Sequence, residues 1–284
     1  MKPLVLSPSR VKTWVRCKKS YHWKYNMHLR RVLKESPLEL GSIASEIFAT
    51  YYGYFPKDRT QPNLINITST LIARHRTEFL GKDPQPKRIK EWSKIVDILG
   101  AVFTKYTDWT SKINPPDNQL EIKSIETTFK VNLVPDCFDL LAIPDSTVEF
   151  DGSLFVFEHK LRSRYRTGDF GIDYQSVGSC LVTGAIGTIY NVVNYRDLRL
   201  YRDIVIRSEE ELDYFRKIYI SIGEDILSTK PSNMYPQPFK RCSCSYYELC
   251  MAETEGNNIQ DVIDALFLTT TREKELDIPE DIEE

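Results

Sequence analysis

With 284 residues and a hydrophobic fraction of 41%, the chain is long enough for one large domain or two small ones and can fill a core. Its 38 Lys and Arg against 40 Asp and Glu leave a formal charge of −2, so no global basic excess points to nucleic acid, and no apolar run approaches the roughly 18 residues of a membrane span. A soluble, cytoplasmic globular protein is expected: only the short patch "PLVL" precedes a polar, basic segment, unlike a secretory leader, and six cysteines in a reducing compartment point to buried thiols, metal ligands or a redox site rather than a disulfide framework.

Charge is spread unevenly along the chain. Met1 to Lys34 holds ten Lys or Arg and no acid. There "LSPSRVKTWVRCKKSYHWKY" predicts a helix capped by Ser7, with Pro8 in its first turn, Val11, Trp14 and Val15 at three-to-four spacing, and Cys17 beside that face. Lys12, Arg16, Lys18, Lys19 and Lys24 interleave with Trp14, Tyr21, Trp23 and Tyr25. That combination holds single strands when cations meet phosphates and rings meet bases; the other reading makes the rings core and the lysines a solvated face. Further helices are expected to begin in "PLELGSIASEIFATYYGYF" and to cover about 63–80 and 86–110, so the first third is mainly helical, and "SKINPPDNQ" is a loop.

Beyond that loop the hydrophobic period drops to two. "QLEIKSIETTFKVNL", "CFDLLAIP" and "SLFVFEHK" predict successive strands, 172–184 a helix, "GTIYNVVNY" and "LRLYRDIVIR" two more strands, and "SEEELDYFRKIYISIGEDIL" a long amphipathic helix capped by Ser208 with Glu211 three residues on. The expected class is α/β, with a mixed central sheet flanked by helices and a helical N-terminal region. The last twelve residues carry seven acids. One domain over 1–271 and a disordered acidic tail over 272–284 are expected.

The strand "LFVFEHKLRS" ends in ionisable groups. Alternation puts Glu158 and Lys160 on one face and His159 on the other. Upstream, Asp139 in "CFDLLAI" is a lone acid in an apolar strand. Two carboxylates on adjacent strands can bind a hard divalent cation, and a nearby lysine can orient or deprotonate a water, which is chemistry for phosphodiester hydrolysis. "RSRYRT" follows directly and offers cations to phosphates. The bland counterpart is a cross-strand Glu–Lys pair with a solvated Asp.

These residues resemble the PD-(D/E)XK nuclease superfamily, and within it the RecB-type exonucleases that include the CRISPR-associated iron–sulfur nucleases. The family's Asp, its acid-x-Lys and its helix-opening Gln look like Asp139, Glu158, Lys160 and Gln175 in "DYQSVGSC", and the N-terminal Ser-x-Ser helix with its Cys and aromatics is similar too. The resemblance implies a restriction-endonuclease-like fold and a metal-dependent DNA exonuclease acting on single strands or DNA ends in recombination or repair. Asp139, Glu158 and the main-chain carbonyl of His159 would hold Mg²⁺ or Mn²⁺, Lys160 would position the attacking water, and Gln175 would hold water or substrate. A nucleoid-associated location, with a helicase or recombination partner or a homo-oligomer, is implied as well. The chain departs from the pattern at Ser45, where the group often has His and where Glu46 is the neighbouring donor, and at Ser179, where it has Tyr. A DNA-binding subunit with a decayed site and a structure-specific endonuclease are the rival readings.

"RCSCSYYELC" sets Cys242, Cys244 and Cys250 within nine residues, and Cys17 stands on the first helix. The arrangement resembles the way the same nuclease group holds a [4Fe–4S] cluster; a four-thiolate structural zinc is the alternative. Cys137 and Cys180 are expected to be ordinary core residues, and His22, His28 and His75, with no partner at ligand spacing, surface or structural ones.

Overall fold

The computed structural model describes residues 3–33, 35–81, 84–236 and 244–270. Cys242 and the expected acidic tail lie outside the described residues. No described helix is long and apolar enough to cross a membrane.

In chain order the elements are β1 (Leu4–Leu6), α1 (Pro8–Arg16), α2 (Lys18–Tyr21), a π-helical turn His22–Asn26 and β2 (Leu29–Arg31). Then come α3 (Ser36–Gly53), α4 (Gln61–Leu80), α5 (Pro86–Phe103), α6 (Tyr106–Lys112), β3 (Glu121–Ile125), β4 (Phe129–Val134), β5 (Phe138–Ala142), β6 (Ser146–Phe150) and β7 (Ser153–Arg162). The remainder is α7 (Tyr174–Thr183), β8 (Gly187–Asn194), β9 (Arg199–Ile206), α8 (Glu209–Ser228), α9 (Tyr247–Glu255), α10 (Ile259–Leu266) and β10 (Phe267–Thr269). They group into two compact units: Met1–Leu33 with Lys130–Leu141 and Asp213–Glu284, and Lys34–Phe129 with Ala142–Leu212.

The second unit is built on a five-stranded sheet in the order β3-β6-β7-β8-β9. Only the β7–β8 pair is parallel, so the sheet is mixed, as expected. β6 and β7 form a hairpin whose turn, Asp151-Gly152, has both residues at positive φ, 50° and 70°, the geometry that an Asp-Gly pair supplies for a two-residue loop. Ile43, Ile47 and Phe48 of α3, Leu64 of α4, Leu99 of α5 and Tyr106 of α6 bury one sheet face against Phe157, Ile189 and Val193. Val156 of β7 packs instead with Cys180 of α7, which agrees with the period-two alternation along β7.

In the first unit β1 pairs in parallel with β5, which also borders β4, and β2 pairs antiparallel with β10. Ser7 caps α1, its Oγ accepting from the backbone N–H of Arg10 at 3.3 Å. Of the two readings of the N-terminal aromatics, the structure agrees with the one that makes the rings core. Trp14, Tyr21, Trp23 and Tyr25 are 3%, 2%, 3% and 6% exposed, because each ring finds a packing or polar partner inside the unit. Trp14 Nε1 donates to Asp225 Oδ2 at 2.8 Å and its ring meets Tyr21 edge-on at 4.9 Å. Lys18 pairs with the same Asp225 at 2.6 Å, and Lys19 lies over Trp23 while pairing with Glu253 at 2.5 Å. Arg31 Nε donates to the carbonyl of Ser245 and Tyr246 Oη to that of Leu29, both at 2.8 Å, so hydrogen bonds tie the N-terminal segment to α9 and its approach.

Two expectations fail on local geometry. "QLEIKSIETTFKVNL" is not one strand: the chain breaks at Glu126, with φ of 43°, and β4 leaves β3 to join β5. The helix expected over 86–110 likewise divides into α5 and α6.

Candidate active site

Glu158 and Lys160 share the face of β7 that looks toward α7. Lys160 Nζ donates to Glu158 Oε2 at 2.6 Å and to Gln175 Oε1 at 3.2 Å, while Gln175 Nε2 donates to the same Glu158 Oε2 at 3.1 Å. The three side chains close a triangle around one carboxylate oxygen. Glu158 is fully buried, and its other oxygen, Oε1, has no hydrogen-bond partner among the described residues.

Gln175 reaches this point because Asp173 caps α7, its Oδ1 accepting the Gln175 N–H at 3.3 Å. The other carboxylate oxygen of Asp173 accepts from Tyr190 Oη at 3.4 Å, and Tyr190 stands beside Glu158 in the β7–β8 register.

Electrostatics follow from enclosure. Burial pushes Glu158 up to about 7; Lys160 opposes that shift and Asp145 adds to it. Burial alone would discharge Lys160, but Glu158, Asp145 and Asp173 outweigh it and hold the ammonium above the ordinary lysine range. One cation thus faces three acids.

Asp145 is the residue the sequence reading passed over. Its Oδ2 accepts the backbone N–H of His159 at 2.8 Å, and burial raises its carboxyl while Lys160 lowers it. Ser146 pairs with Phe157 in the hairpin, so the next position back, Asp145, falls level with Glu158. The Pro144-Asp145 dipeptide and its distance from the Asp-Gly turn were the signals available. Asp139 belongs to the first unit, is 5% exposed, accepts from Asn132 Nδ2 at 3.0 Å and pairs with Lys130 at 2.9 Å.

His159 turns to the opposite face of β7. Its ring stacks on Phe48 at 4.3 Å and on Tyr52 at 4.9 Å, and meets the Phe157 ring at 4.5 Å. Burial, then Arg202 and Lys160, push it well below the usual histidine range, so the ring is neutral. Behind it, Tyr52, Tyr106, Asp117, Asn191 and Arg202 form a buried hydrogen-bonded network. Strand β7 is therefore charged in front and held by aromatic packing behind, and the His159 carbonyl lies on the same strand between Glu158 and Lys160.

Of the other expected positions, Ser45 and Glu46 lie on α3. His75 Nε2 pairs with Glu46 at 2.9 Å and Nδ1 with the buried Glu39 at 2.8 Å, so His75 has the acidic partners that spacing along the chain did not reveal. Ser179 is buried on α7. Arg162, Arg164 and Arg166 of "RSRYRT" are exposed.

Cys17, Cys244 and Cys250 all belong to the first unit and are partly exposed. Cys17 Sγ accepts the backbone N–H of Ser20 at 3.4 Å, and Cys244 and Cys250 pack against the cluster of Trp23, Leu29, Tyr246, Leu249 and Phe267. Among the described residues no three His, Cys, Asp or Glu side chains are grouped so as to hold a metal ion. Cys137 is exposed, contrary to its expected core position, because it sits in the turn before β5; Cys180 is buried as expected.

The family model of the PD-(D/E)XK nuclease superfamily matches residues 5–251. Among solved structures the chain is similar to a candidate exonuclease from Eubacterium rectale, at 11% identity over 87% of each chain with a TM-score of 0.50, a likeness of fold alone. It is also similar to the protein SSO0001, at 12% identity over 80% of this chain and 78% of that one, but with a TM-score of 0.36, too low to bear on the fold. No curated protein matches. With that match running over most of its length, and with an acid-x-lysine strand end beside a helix-opening glutamine on a mixed sheet, the chain belongs to the PD-(D/E)XK nuclease superfamily.

Proposed function

We propose that the protein is a divalent-metal-dependent deoxyribonuclease whose reaction centre is Glu158, Lys160 and Gln175 with Asp145. The observation that carries this reading is Glu158: fully buried, with one oxygen bound by Lys160 and Gln175 and the other without a partner among the described residues. A buried carboxylate oxygen left unpaired is costly, and three acids around one lysine leave a local excess of negative charge. The donor set suits Mg²⁺ or Mn²⁺, since hard cations take oxygen ligands and Mg²⁺ is held by one or two carboxylates while keeping several waters. Glu158 Oε1, Asp145 and the His159 carbonyl would supply the protein oxygens.

A bound cation there would neutralise charge developing on the scissile phosphate. Lys160, held as an ammonium by its acidic neighbours, acts as a hydrogen-bond donor that orients the attacking water rather than as the base that deprotonates it. Gln175 fixes the direction of Nζ through its Oε1 and keeps Glu158 Oε2 occupied, which leaves Oε1 for the cation. Asp145, by accepting the His159 N–H, holds the strand where its carbonyl stands between the two functional side chains.

Asp139 is the second reading for the first acid, favoured by its burial in an otherwise apolar strand. Divalent-dependent degradation of labelled DNA by Asp145→Asn, Asp139→Asn and Glu158→Gln decides. Glu158→Gln and Asp145→Asn are expected to lose about 10²- to 10⁴-fold in kcat with DNA binding retained, because phosphate affinity is spread over many cations. Loss in Asp139→Asn with a normal Asp145→Asn would transfer the role, and undiminished rates in all three would end the proposal.

Exonucleolytic action on single strands or ends, in recombination or repair, is the finer reading that the family resemblance supports. Cleavage of circular single strands would favour the endonuclease alternative, and DNA binding without cleavage the decayed subunit. We further propose that Cys17, Cys242, Cys244 and Cys250 hold a [4Fe–4S] cluster, with structural zinc as the alternative. Three of these thiols share one unit, and hydrogen bonds link the segments that carry them. Protein prepared without air is expected to be brown and to contain iron and acid-labile sulfide. Folded, colourless protein with stoichiometric zinc would reassign the site.

A further inference from the structure

Arg207 follows β9 and lies far in sequence from the acid-lysine strand, yet its side chain is only 2% exposed. Its guanidinium serves a loop. Nη1 donates to the carbonyl of Gly171 at 2.6 Å and pairs with Glu211, and Nη2 donates to the carbonyl of Phe170 at 3.1 Å. Burying a guanidinium is costly unless its donors are met, and here backbone carbonyls between β7 and α7 meet two of them.

That loop leads into the site. The Phe170 ring lies flat on Tyr190, with centroids 4.1 Å apart and planes 11° from parallel. Tyr190 stands beside Glu158 in the strand register and donates to Asp173 at 3.4 Å; Asp173 caps the helix whose Gln175 binds both Glu158 and Lys160. Within the loop, turns are closed by Asp169 N to the Arg166 carbonyl and Gly171 N to the Gly168 carbonyl, both 3.1 Å, and Tyr165 Oη donates to Asp203. A fork spanning two successive carbonyls and a carboxylate is what a planar guanidinium provides and a lysine ammonium cannot.

We propose that Arg207 is a positioning residue for hydrolysis: by holding the carbonyls of Phe170 and Gly171 it fixes the loop that delivers Asp173 and Gln175 to Glu158 and Lys160. The proposal rests on the reaction centre argued above. The test compares kcat and KM for a labelled single strand in wild type, Arg207→Lys, Arg207→Ala and Tyr190→Phe, with Glu158→Gln alongside. Arg207→Lys is expected to lose about 10- to 100-fold in kcat, the scale of a small misplacement of reacting groups, while KM stays within about twofold. Ethylguanidinium should restore part of the rate of Arg207→Ala, and the loss in kcat with KM nearly unchanged in a variant whose melting matches wild type is what a purely structural role would not give. Tyr190→Phe, which removes one hydroxyl and keeps the stack, should lose about 3- to 10-fold in kcat, in line with one modest hydrogen bond. If neither arginine variant folds, Tyr190→Phe decides by the same criterion. Unchanged kcat in a folded Arg207→Lys, or a loss confined to KM, overturns the positioning role. Full activity in Glu158→Gln would instead overturn the underlying centre, so the two failures are distinct.

Discussion

Two lysines in this protein keep little contact with solvent, and they teach different things. Lys19 has 8% of its side chain exposed; it pairs with Glu253 and lies over the Trp23 ring. Lys160 has 16% exposed; it bonds Glu158 and Gln175 and feels Asp145 and Asp173 as well. Around Lys19 one positive charge meets one negative charge, and that acid keeps 38% of its side chain in water. Around Lys160 the acids outnumber the cation and one carboxylate oxygen has no described partner. A buried charge is thus not in itself a mark of function, whereas a buried imbalance with an unfilled acceptor is.

The largest expected effect separates the two lysines directly. Lys160→Ala should cost about 10³-fold in kcat, within the range of a lost water-orienting or proton-handling group, with the fold preserved. Lys19→Ala should leave kcat within about twofold and lower unfolding stability by about 1–3 kcal/mol, the cost of removing one partner of a mostly buried hydrogen bond. Steady-state kinetics and urea melts of both variants check this. A folded Lys19→Ala as inactive as Lys160→Ala would break the comparison.

A smaller effect should appear with pH. Burial raises Glu158 to about 7, so below that value the site holds a proton that a cation must displace. The Mg²⁺ concentration for half-maximal activity is therefore expected to rise below about pH 7, by at most about tenfold per unit for a single proton exchanged. Stability has the opposite sense. A carboxyl whose folded value lies above its unfolded one contributes stability that is fully present below the unfolded value and is lost as pH rises through about 7. Metal-free protein should consequently melt lower at pH 8 than at pH 6 through this group, and Mg²⁺ should narrow the gap. Thermal melts with chelator or with Mg²⁺ measure both arms, and a gap that Mg²⁺ leaves unchanged would remove Glu158 as its cause.

Much of the site was legible where only local geometry mattered. The period of two put Glu158 and Lys160 on one face of β7 and His159 on the other, and Ser7 and Ser208 accept the N–H groups expected of caps. The helix opening that carries Gln175 was equally plain. Asp145 was missed because its partnership with Glu158 depends on the hairpin register, which the Asp151-Gly152 turn sets and a strand-by-strand reading does not count. The rings of the N-terminal segment were ambiguous for another reason: composition shows that aromatics and lysines alternate, but not that Asp225 and Glu253, more than 200 positions away, cover them. His75 likewise meets Glu39 and Glu46 only because α3 and α4 pack together.

The β6–β7 hairpin also bears on the order in which the site assembles. Asp145 and Glu158 come level through a turn of two residues, so their meeting closes a short stretch of chain and costs little loop entropy, whereas Arg202 must reach back some 85 positions to Asp117 to complete the network behind them. In the terms of folding kinetics, the acidic side of the centre is a low-contact-order element and the support behind it a high-contact-order one. The carboxylates can come together while the network behind the strand is still unformed, and burial, with the displaced proton affinity it gives Glu158, arrives with the packing of α7 on the front of β7.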